Sequence, residues 1–321
     1  MTIHLQSSSK PANARHAVIL CCDEGYLPFA ALGIETLRRN SPDRDFDICL
    51  VSQAPLTLPD SLSHWDMRLC VMDVGDAFDG LRTSERFSVA AYLRLALPAA
   101  FVADYDRILY LDCDVFAVGP AVGDIFELDL HGAPVGAVSD NVKWKRPGKP
   151  TPDQAALEIN GPYFNSGVLL IDCQRFLDVD VLGRCLALAQ THAEDKIYFD
   201  QTLLNLALTN EWAQLHPAWN WQWSVVRAMF EVLIEVQLVH FVSEAKPWSD
   251  SRGRLPVRYR AFAERFLGQH FPHVDVPNTP RPMPVKRLIA QLFRHMGKAP
   301  QMAKVMDDAG TDIRRVKAPG A

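Results

Sequence analysis

The residues with the clearest chemical potential are Asp112 and Asp114, which flank Cys113 directly after the apolar segment 107–111. Two carboxylates at the end of a buried strand repel each other, and burying them is costly unless an opposite charge lies nearby. Hard oxygen ligands of this kind suit Mg²⁺ or Mn²⁺. At a solvated strand end, the same pair could instead cap a helix or bind an arginine. The Asp-x-Asp pattern alone leaves these two interpretations equally open.

Two later residues are further candidates for such a site, and a glycine within a predicted strand is a separate signal. His240 ends the apolar run 236–240 and could complete a set of metal ligands, because imidazole suits Mn²⁺ better than Mg²⁺. Lys246 follows in a loop with proline, and a compact cation beside a metal suits a diphosphate. Gly167, inside the run 163–172, is typical of a close approach by another backbone or a ligand. The plainer alternatives are a histidine at the edge of the core and an ordinary surface lysine.

The elements that position these residues follow from the hydrophobic pattern. Apolar runs predict strands at residues 16–22, 46–52, 68–74, 107–111, 136–139, 163–172 and 236–240. Helical spacing predicts helices at residues 28–40, 88–101 and 181–192, and a further helix from residue 199. Strands that alternate with helices predict an α/β fold with a mostly parallel sheet and helices on both faces. Such sheets bind ligands at the carboxyl ends of their strands, where Asp112 and Asp114 fall.

The composition excludes several classes of protein. The chain has 321 residues with 33 Lys and Arg against 38 Asp and Glu, a formal net charge of -5 that argues against a nucleic-acid partner. Seven cysteines without a Cys-x-x-Cys pair favour a reducing compartment, so we expect a cytoplasmic protein. Residues 1–15 are polar and lack the apolar core of a signal peptide. Apolar stretches long enough to span a bilayer are also absent from the sequence.

The chain divides into a polar N-terminal extension at 1–15, an α/β domain at 16–270, and a Pro-rich, basic tail at 271–321. In the tail, apolar residues recur at helical spacing, and we call them the apolar stripe: Val285, Leu288, Ile289, Leu292, Phe293 and Met296. Basic residues accompany the stripe: Lys286, Arg287, Arg294 and Lys298. A basic amphipathic helix over 284–298 fits a peripheral contact with an anionic membrane or a docking face on protein.

Tryptophans cluster before the last predicted strand: Trp212, Trp219, Trp221 and Trp223. Their rings could form a platform for a sugar, because the apolar faces of sugars stack on aromatic rings. The alternative is that they pack in the core.

Six motifs occur in one order along the chain. They are Asp23-x-x-Tyr26, Tyr92-Leu-Arg94, Leu109-Tyr-Leu-Asp-Cys-Asp114, Tyr163-Phe-Asn-Ser-Gly167, Asp200-Gln201 and His240-Phe-x-x-x-x-Lys-Pro-Trp248. In this order the chain resembles the family-eight retaining glycosyltransferases, which include bacterial lipopolysaccharide galactosyl- and glucosyltransferases and glycogenin. The resemblance implies a GT-A-like single nucleotide-sugar-binding domain with a mixed, mostly parallel sheet. It also implies transfer of galactose or glucose from a UDP-hexose to a carbohydrate or glycolipid acceptor.

The same resemblance implies roles for individual residues. Mn²⁺, or Mg²⁺ in its place, would be held by Asp112, Asp114 and His240. The uracil and ribose would lie against Cys21, Asp23 and Tyr26. The donor sugar would contact Arg94, Asp140, Asn165 and Ser166, and Lys246 would contact the diphosphate. The residues implied near the anomeric carbon are Gln201 and Asp200.

A departure from the family pattern and two rival functions accompany this interpretation. Relatives usually carry Gly-Pro between the metal histidine and the lysine, where this chain has Ser243-Glu244. The side-chain amide of Gln201 is a poor nucleophile. We therefore predict that the acceptor hydroxyl attacks the donor sugar on the face from which UDP leaves, with Asp200 as the alternative nucleophile. A phosphatase of the haloacid-dehalogenase type would use Asp112 as its nucleophile, but several strands precede this motif. A non-catalytic sugar-binding protein would have little need for the two aspartates and His240 together.

Overall fold

Six of the seven predicted strands belong to one eight-stranded sheet in a computed structural model, which describes residues 3–79, 81, 89–140, 149–191, 199–223, 230–277 and 285–320. The strands are β1 His4–Ser8, β2 His16–Cys21, β3 Asp47–Ser52, β4 Arg68–Asp73, β5 Arg107–Leu111, β6 Val115–Ala117, β7 Val135–Ser139, β8 Phe164–Asp172, β9 Ala213–Gln214, β10 Trp221–Gln222 and β11 Leu238–His240. The helices are α1 Leu27–Asn40, α2 Leu93–Phe101, α3 Pro152–Ala156, α4 Cys173–Asp178, α5 Val181–Thr191, α6 Phe199–Ala207, α7 Val257–His270 and α8 Val285–Ala309. Short 3-10 helices lie between them at Asp60–Leu62, Val89–Tyr92, Val122–Glu127, Pro217–Trp219 and Phe230–Leu233.

The large sheet has the strand order β1-β4-β3-β2-β5-β8-β7-β9. Strands β4, β3, β2 and β5 run parallel, whereas β8 is antiparallel to both β5 and β7. The α/β fold and the mixed, mostly parallel sheet are therefore confirmed. The alternation of side chains along β2 places Val18 with α1 in one apolar cluster and Ile19 with α2 in the other. Helices cover both faces for this reason, and the central strands read as continuous apolar runs.

A small second sheet decides where His240 lies. It has the order β10-β11-β6, with β11 parallel to β10 and antiparallel to β6. Strand β6 begins directly after Asp114, and its Val115 pairs with His240. The amide of Phe241 donates to the carbonyl of Asp114 over 3.1 Å. This pairing carries His240 to the carboxyl end of β5, although the two segments are far apart in sequence.

The edges of the large sheet contain elements that the sequence pattern does not predict. Strand β1, within the polar segment 1–15, pairs antiparallel with β4. At the other edge, the backbone of Lys317 exchanges two 3.0 Å hydrogen bonds with Gln214 of β9. The indole Nε1 of Trp219 donates to the carbonyl of Ile313 over 2.8 Å. The end of the tail is thus attached to the body of the protein.

The helical tail is confirmed, but its orientation is unusual. Helix α8 buries Gln291, His295 and Met302, and the ring of His295 packs 5.4 Å from that of Phe230. The apolar stripe lies on the exposed side, where Phe293 retains 68% of its accessible surface. Among the residues that the structure describes, no helix has both the length and the apolar character that crossing a membrane requires.

The tryptophan cluster lies in the core. Trp219 and Trp221 are fully buried, and Trp212 and Trp223 are nearly so. A sugar-binding platform needs exposed ring faces, so that interpretation is wrong and the packing interpretation is correct.

The hydrogen bond between Trp219 and Ile313 supports a stability prediction. Trp219→Phe should lower the free energy of unfolding by about 2 kcal/mol, because it removes one hydrogen bond and leaves space in the core. In a chain that ends at Ala309, the same substitution should cost about 1 kcal/mol less, because the acceptor is already gone. Urea denaturation of the four proteins measures both costs. Equal costs in the two backgrounds would show that the Ile313 contact does not stabilise the fold.

Candidate active site

The Asp pair and His240 meet at the carboxyl end of β5. The amide of Asp112 donates to the carbonyl of Gly167 on β8 over 2.9 Å, and Val115 closes a turn back to Asp112. The Nε2 atom of His240 lies 3.1 Å from Oδ1 of Asp114 and 3.8 Å from Oδ2 of Asp112. One ligand atom from each side chain lies within 4.8 Å of the others. The sequence-predicted metal residues are therefore together.

Gly167 makes this approach feasible. A Cβ atom at position 167 would lie 2.2 Å from Cε1 of His240 and 2.6 Å from Oδ2 of Asp112. Gly167 lies against the side chains of Asp112 and His240, and we call these three residues and Asp114 the cradle. Two hard carboxylates and one imidazole suit a divalent ion. The residues present therefore fit a divalent metal. A close approach occurs at Gly167, but the neighbours are side chains and not the backbone or ligand that the sequence predicted.

Arg94, which is buried, offsets the charge of Asp112 through an ion pair. Its Nη2 lies 2.9 Å from Oδ1 of Asp112, and its Nε lies 3.1 Å from Oδ2 of Asp200. The hydroxyl of Tyr110 donates to Oδ1 of Asp112 over 2.7 Å, and the guanidinium lies 4.4 Å from the centre of the Tyr110 ring. Burial would lower the pKa of Arg94, but the two carboxylates raise it well above its ordinary value. One oxygen of Asp112 is thus held by protein, while the other faces His240.

Lys246 forms a salt bridge with Asp114, the second aspartate of the pair. Its Nζ donates to Oδ2 of Asp114 and to the carbonyl of Phe241. Burial would raise the pKa of Asp114, but the neighbouring His240 and Lys246 outweigh it and hold the pKa well below its usual range. Asp114 is consequently ionised near neutral pH, as a metal ligand must be.

The remaining predicted residues form a polar network that contacts the cluster. The Oε1 atom of Gln201 accepts from the amide of Ser166 and from Nδ2 of Asn165, each over 3.1 Å. The Nε2 atom of Gln201 lies 3.4 Å from Oδ2 of Asp140. The hydroxyl of Ser166 donates to Asp200, and burial raises the pKa of that carboxyl against the opposing effect of Arg94. The structure therefore brings these five residues together.

A cavity of about 540 Å³ opens over the cluster. The predicted residues that line it are Cys21, Asp23, Tyr26, Arg94, Asp112, Asp114 and Lys246. Tyr26 keeps 49% of its surface exposed, which leaves ring area for a ligand. Its ring meets the edge of Phe29, and Phe29 stacks on Trp248 with 4.4 Å between ring centres. Half-exposed aromatics beside a cavity suit a flat ring system.

Sequence reasoning missed two contributors. The contribution of Tyr110 could be inferred from the sequence, because alternation along a strand places it on the same face as Asp112. Nothing in the sequence points to Asn220. It follows a 3-10 helix among buried tryptophans, yet its side chain lies between Asn165 and His240. Ser243 and Glu244, noted as a departure from the usual Gly-Pro, also line the cavity.

Comparisons with known proteins agree with this geometry. The model of the family described as glycosyl transferase family 8 matches residues 17–252. Glycosyltransferase GlyF of Streptococcus pneumoniae serotype 4 is 26% identical over 248 residues, which cover 73% of this chain and 58% of GlyF. Lipopolysaccharide 1,2-glucosyltransferase of Escherichia coli K12 is 26% identical over 182 residues, which cover 54% of this chain and 53% of that enzyme. The chain thus spans a little over half the length of these two relatives.

Solved structures share the fold. A crystal structure of galactosyltransferase LgtC with donor and acceptor sugar analogues superposes with a TM-score of 0.64 at 21% identity, covering 82% of this chain and 98% of LgtC. The bifunctional glycosyltransferase WbbM superposes with a TM-score of 0.60 at 18% identity, covering 91% of this chain and 53% of WbbM. At these identities, the likeness concerns the fold alone.

The cradle at Gly167 supports a prediction about the metal. Gly167→Ala should weaken Mn²⁺ binding by about tenfold or more, because the new methyl group displaces His240 or Asp112. Electron paramagnetic resonance of free Mn²⁺ measures the dissociation constant without turnover. Gly268→Ala on α7 is the control, because a Cβ atom there meets nothing within 4 Å. Unchanged Mn²⁺ binding in a folded Gly167→Ala variant would contradict the assignment of the cradle.

Proposed function

The chain belongs to glycosyl transferase family 8, and we propose that it transfers galactose or glucose from a UDP-sugar to a glycan or glycolipid acceptor with Mn²⁺ as cofactor. The observation that carries the proposal is the cluster of Asp112, Asp114 and His240 beside Lys246 at the base of an open cavity. Mg²⁺ is the alternative ion, because two of the three ligands are carboxylates. We also propose residues 16–270 as the catalytic domain.

The chemistry of the leaving group explains these residues. UDP departs with growing negative charge, which must be stabilised in the transition state. A divalent ion held by Asp112, Asp114 and His240 would supply Lewis-acid stabilisation of that charge. Lys246 adds a positive charge of its own, and its contact with Asp114 keeps the ammonium group at the cavity wall. Its flexible stem allows the ammonium group to contact an entering phosphate.

The residues proposed near the anomeric carbon favour direct attack. Gln201 is neutral, and its amide is oriented by Ser166 and Asn165, so it suits hydrogen bonding to a sugar better than bond formation. Asp200 is engaged by Arg94 and Ser166, which reduces its availability as a nucleophile. We therefore propose that the acceptor hydroxyl attacks on the face from which UDP leaves, with retention of configuration. Asp200 stays the alternative nucleophile.

Donor recognition is proposed for the rest of the cavity. Tyr26 would stack on the uracil, with Cys21 and Asp23 close to the base and ribose, because all three line the cavity and the tyrosine ring is half-exposed. Arg94 also lines the cavity, and it would recognise the sugar together with Asp140, Asn165 and Ser166, which lie in the adjoining polar network. The phosphatase alternative is not supported, because four of the described strands precede β5, the strand that Asp112 follows, and the family match covers the whole region.

The apolar stripe on α8 supports a second proposal, a peripheral contact of a cytoplasmic protein with an anionic membrane. Met302 is buried further along, but the part of the helix that carries the stripe buries polar Gln291 and His295 and exposes its apolar residues, the reverse of a helix that only packs on its own domain. Lys286, Arg294 and Lys298 are exposed on the same helix and complement anionic lipid. A glycolipid acceptor would be presented at such a surface.

The proposed reaction has a direct assay. With Mn²⁺ and a panel of glycan and glycolipid acceptors, the chain should release UDP from UDP-galactose or UDP-glucose as the hexose passes to an acceptor hydroxyl, and EDTA should abolish the release. Asp114→Asn should lower kcat/KM by about 10²–10³-fold, because it removes a preorganised charge from the site. Proton NMR of the product should show an α-linkage from the α-linked donor.

The control for this assay is Asp129→Asn, an exposed aspartate whose side chain keeps 78% of its surface. Donor binding without UDP release under any condition would favour the binding-protein alternative. A β-linked product would contradict the same-face mechanism. Full activity of Asp114→Asn in EDTA would remove the metal from the proposal.

The stripe is tested by substitutions that spare the buried face of α8. Replacing both Phe293 and Met296 by serine should reduce binding to anionic vesicles by about tenfold or more, because the exposed apolar area is lost. Co-sedimentation with vesicles of anionic and of zwitterionic lipid measures this binding, which should fall as salt rises.

Val257→Ser on α7 is the matched control, because Val257 is also exposed but lies outside the stripe. Equal vesicle binding by the double variant and the wild-type chain would refute the membrane contact. Loss of a dimer in sedimentation velocity, with no vesicle binding by either protein, would assign the stripe to a second copy of the chain instead.

A further inference from the structure

A closed network of amides surrounds the imidazole of His240 on the side away from the aspartates. The Nδ1 atom of His240 lies 3.1 Å from Oδ1 of Asn165 and 3.3 Å from Oδ1 of Asn220. The Nδ2 atom of Asn220 donates to Oδ1 of Asn165 over 2.9 Å. Asn220 has no accessible surface, and His240 has very little. Water therefore does not compete for these groups.

Backbone amides fix the direction of every hydrogen bond in this network. A main-chain N–H can only donate, so the amide of Gly167 requires an oxygen at Oδ1 of Asn165, and the amide of Ser166 requires an oxygen at Oε1 of Gln201. The other end of Asn165 is then the nitrogen that donates to Gln201. Because Asn165 presents an oxygen to Asn220, the nearer atom of Asn220 must be its nitrogen.

The oxygen of Asn220 consequently faces His240. Two acceptor oxygens, from Asn165 and Asn220, lie at Nδ1, so this nitrogen must carry a hydrogen. With the hydrogen on Nδ1, Nε2 is the ring nitrogen that faces the aspartates, 3.1 Å from Oδ1 of Asp114, and its electron pair is the one that a metal held there would receive. The opposite tautomer would leave Nδ1 without a donor against two buried oxygens, which costs free energy.

We propose that Asn220 is a positioning residue that holds His240 in the tautomer whose Nε2 is available to a divalent metal. It acts through His240 and does not reach the cavity itself. The inference rests on the proposed metal site. Partners of a ligating histidine that fix its tautomer and ring orientation commonly change metal affinity by about 10–100-fold when they are removed.

The test is Mn²⁺ binding by the full chain in the absence of any sugar nucleotide, measured by electron paramagnetic resonance of the free ion. Asn220→Ala should weaken binding by about 10–100-fold. Asn220→Asp should keep most of the affinity, because a carboxylate still accepts from Nδ1, while it lowers thermal stability by losing the bond to Asn165. Affinity and stability thus separate, which a merely structural role would not allow.

A double-mutant cycle identifies the route of the effect. In a His240→Ala background, removing the side chain of Asn220 should cause no further loss of Mn²⁺ affinity, because the imidazole it orients is absent. Asn205→Ala is the matched control: Asn205 is equally buried, and its side chain bonds the backbone of Phe164 and Gln201 but not His240. It should lower stability and leave Mn²⁺ affinity unchanged.

The outcomes separate this inference from the proposed function. A wild-type chain that binds no Mn²⁺ overturns both. Normal Mn²⁺ binding by the wild type and by folded Asn220→Ala overturns the inference alone. Additive losses in the cycle, or equal losses of affinity in Asn220→Ala and Asn205→Ala, also overturn it, because the effect would then reflect general destabilisation.

Discussion

The meeting of two carboxylates at the buried end of β5 is the constraint on which the surrounding structure depends. Like charges this close are costly to bury, and each is offset in a different way. Arg94 and Tyr110 hold one oxygen of Asp112, and Lys246 holds one oxygen of Asp114. The remaining oxygens face His240, so the compensation by protein is incomplete where a metal would bind. The strand pairing that brings His240 to this site and the ion pairs that offset the two charges therefore act on the same two carboxylates, those of Asp112 and Asp114.

The sequence predicts the central strands well because their signal is local. Runs such as 107–111 are buried on both faces, and the Asp pair follows directly from the end of that run. The pairing of β6 with β11 is not predictable in this way, because it joins short strands more than a hundred residues apart. Asn220 is missed for the same reason: its role appears only when distant amides are brought together.

The tail marks a different limit of sequence reasoning. Periodicity identifies an amphipathic helix, but it does not say which face packs on the body. The expectation from burial alone is that apolar residues face inward. Helix α8 instead buries Gln291 and His295, while segment 310–317 attaches the chain to β9 and Trp219. The choice of face depends on contacts with distant residues, which no local pattern contains.

The bifunctional amide of Asn165 has a consequence for enzyme engineering. Its nitrogen orients Gln201, and its oxygen supports His240, so one side chain joins the sugar-facing residue to the metal-facing residue. A library that randomises Gln201 to change sugar preference would therefore also alter the support of His240. Variants selected for a new donor would be expected to acquire compensating changes at Asn165 or Asn220, and randomising the three positions jointly is the more efficient search.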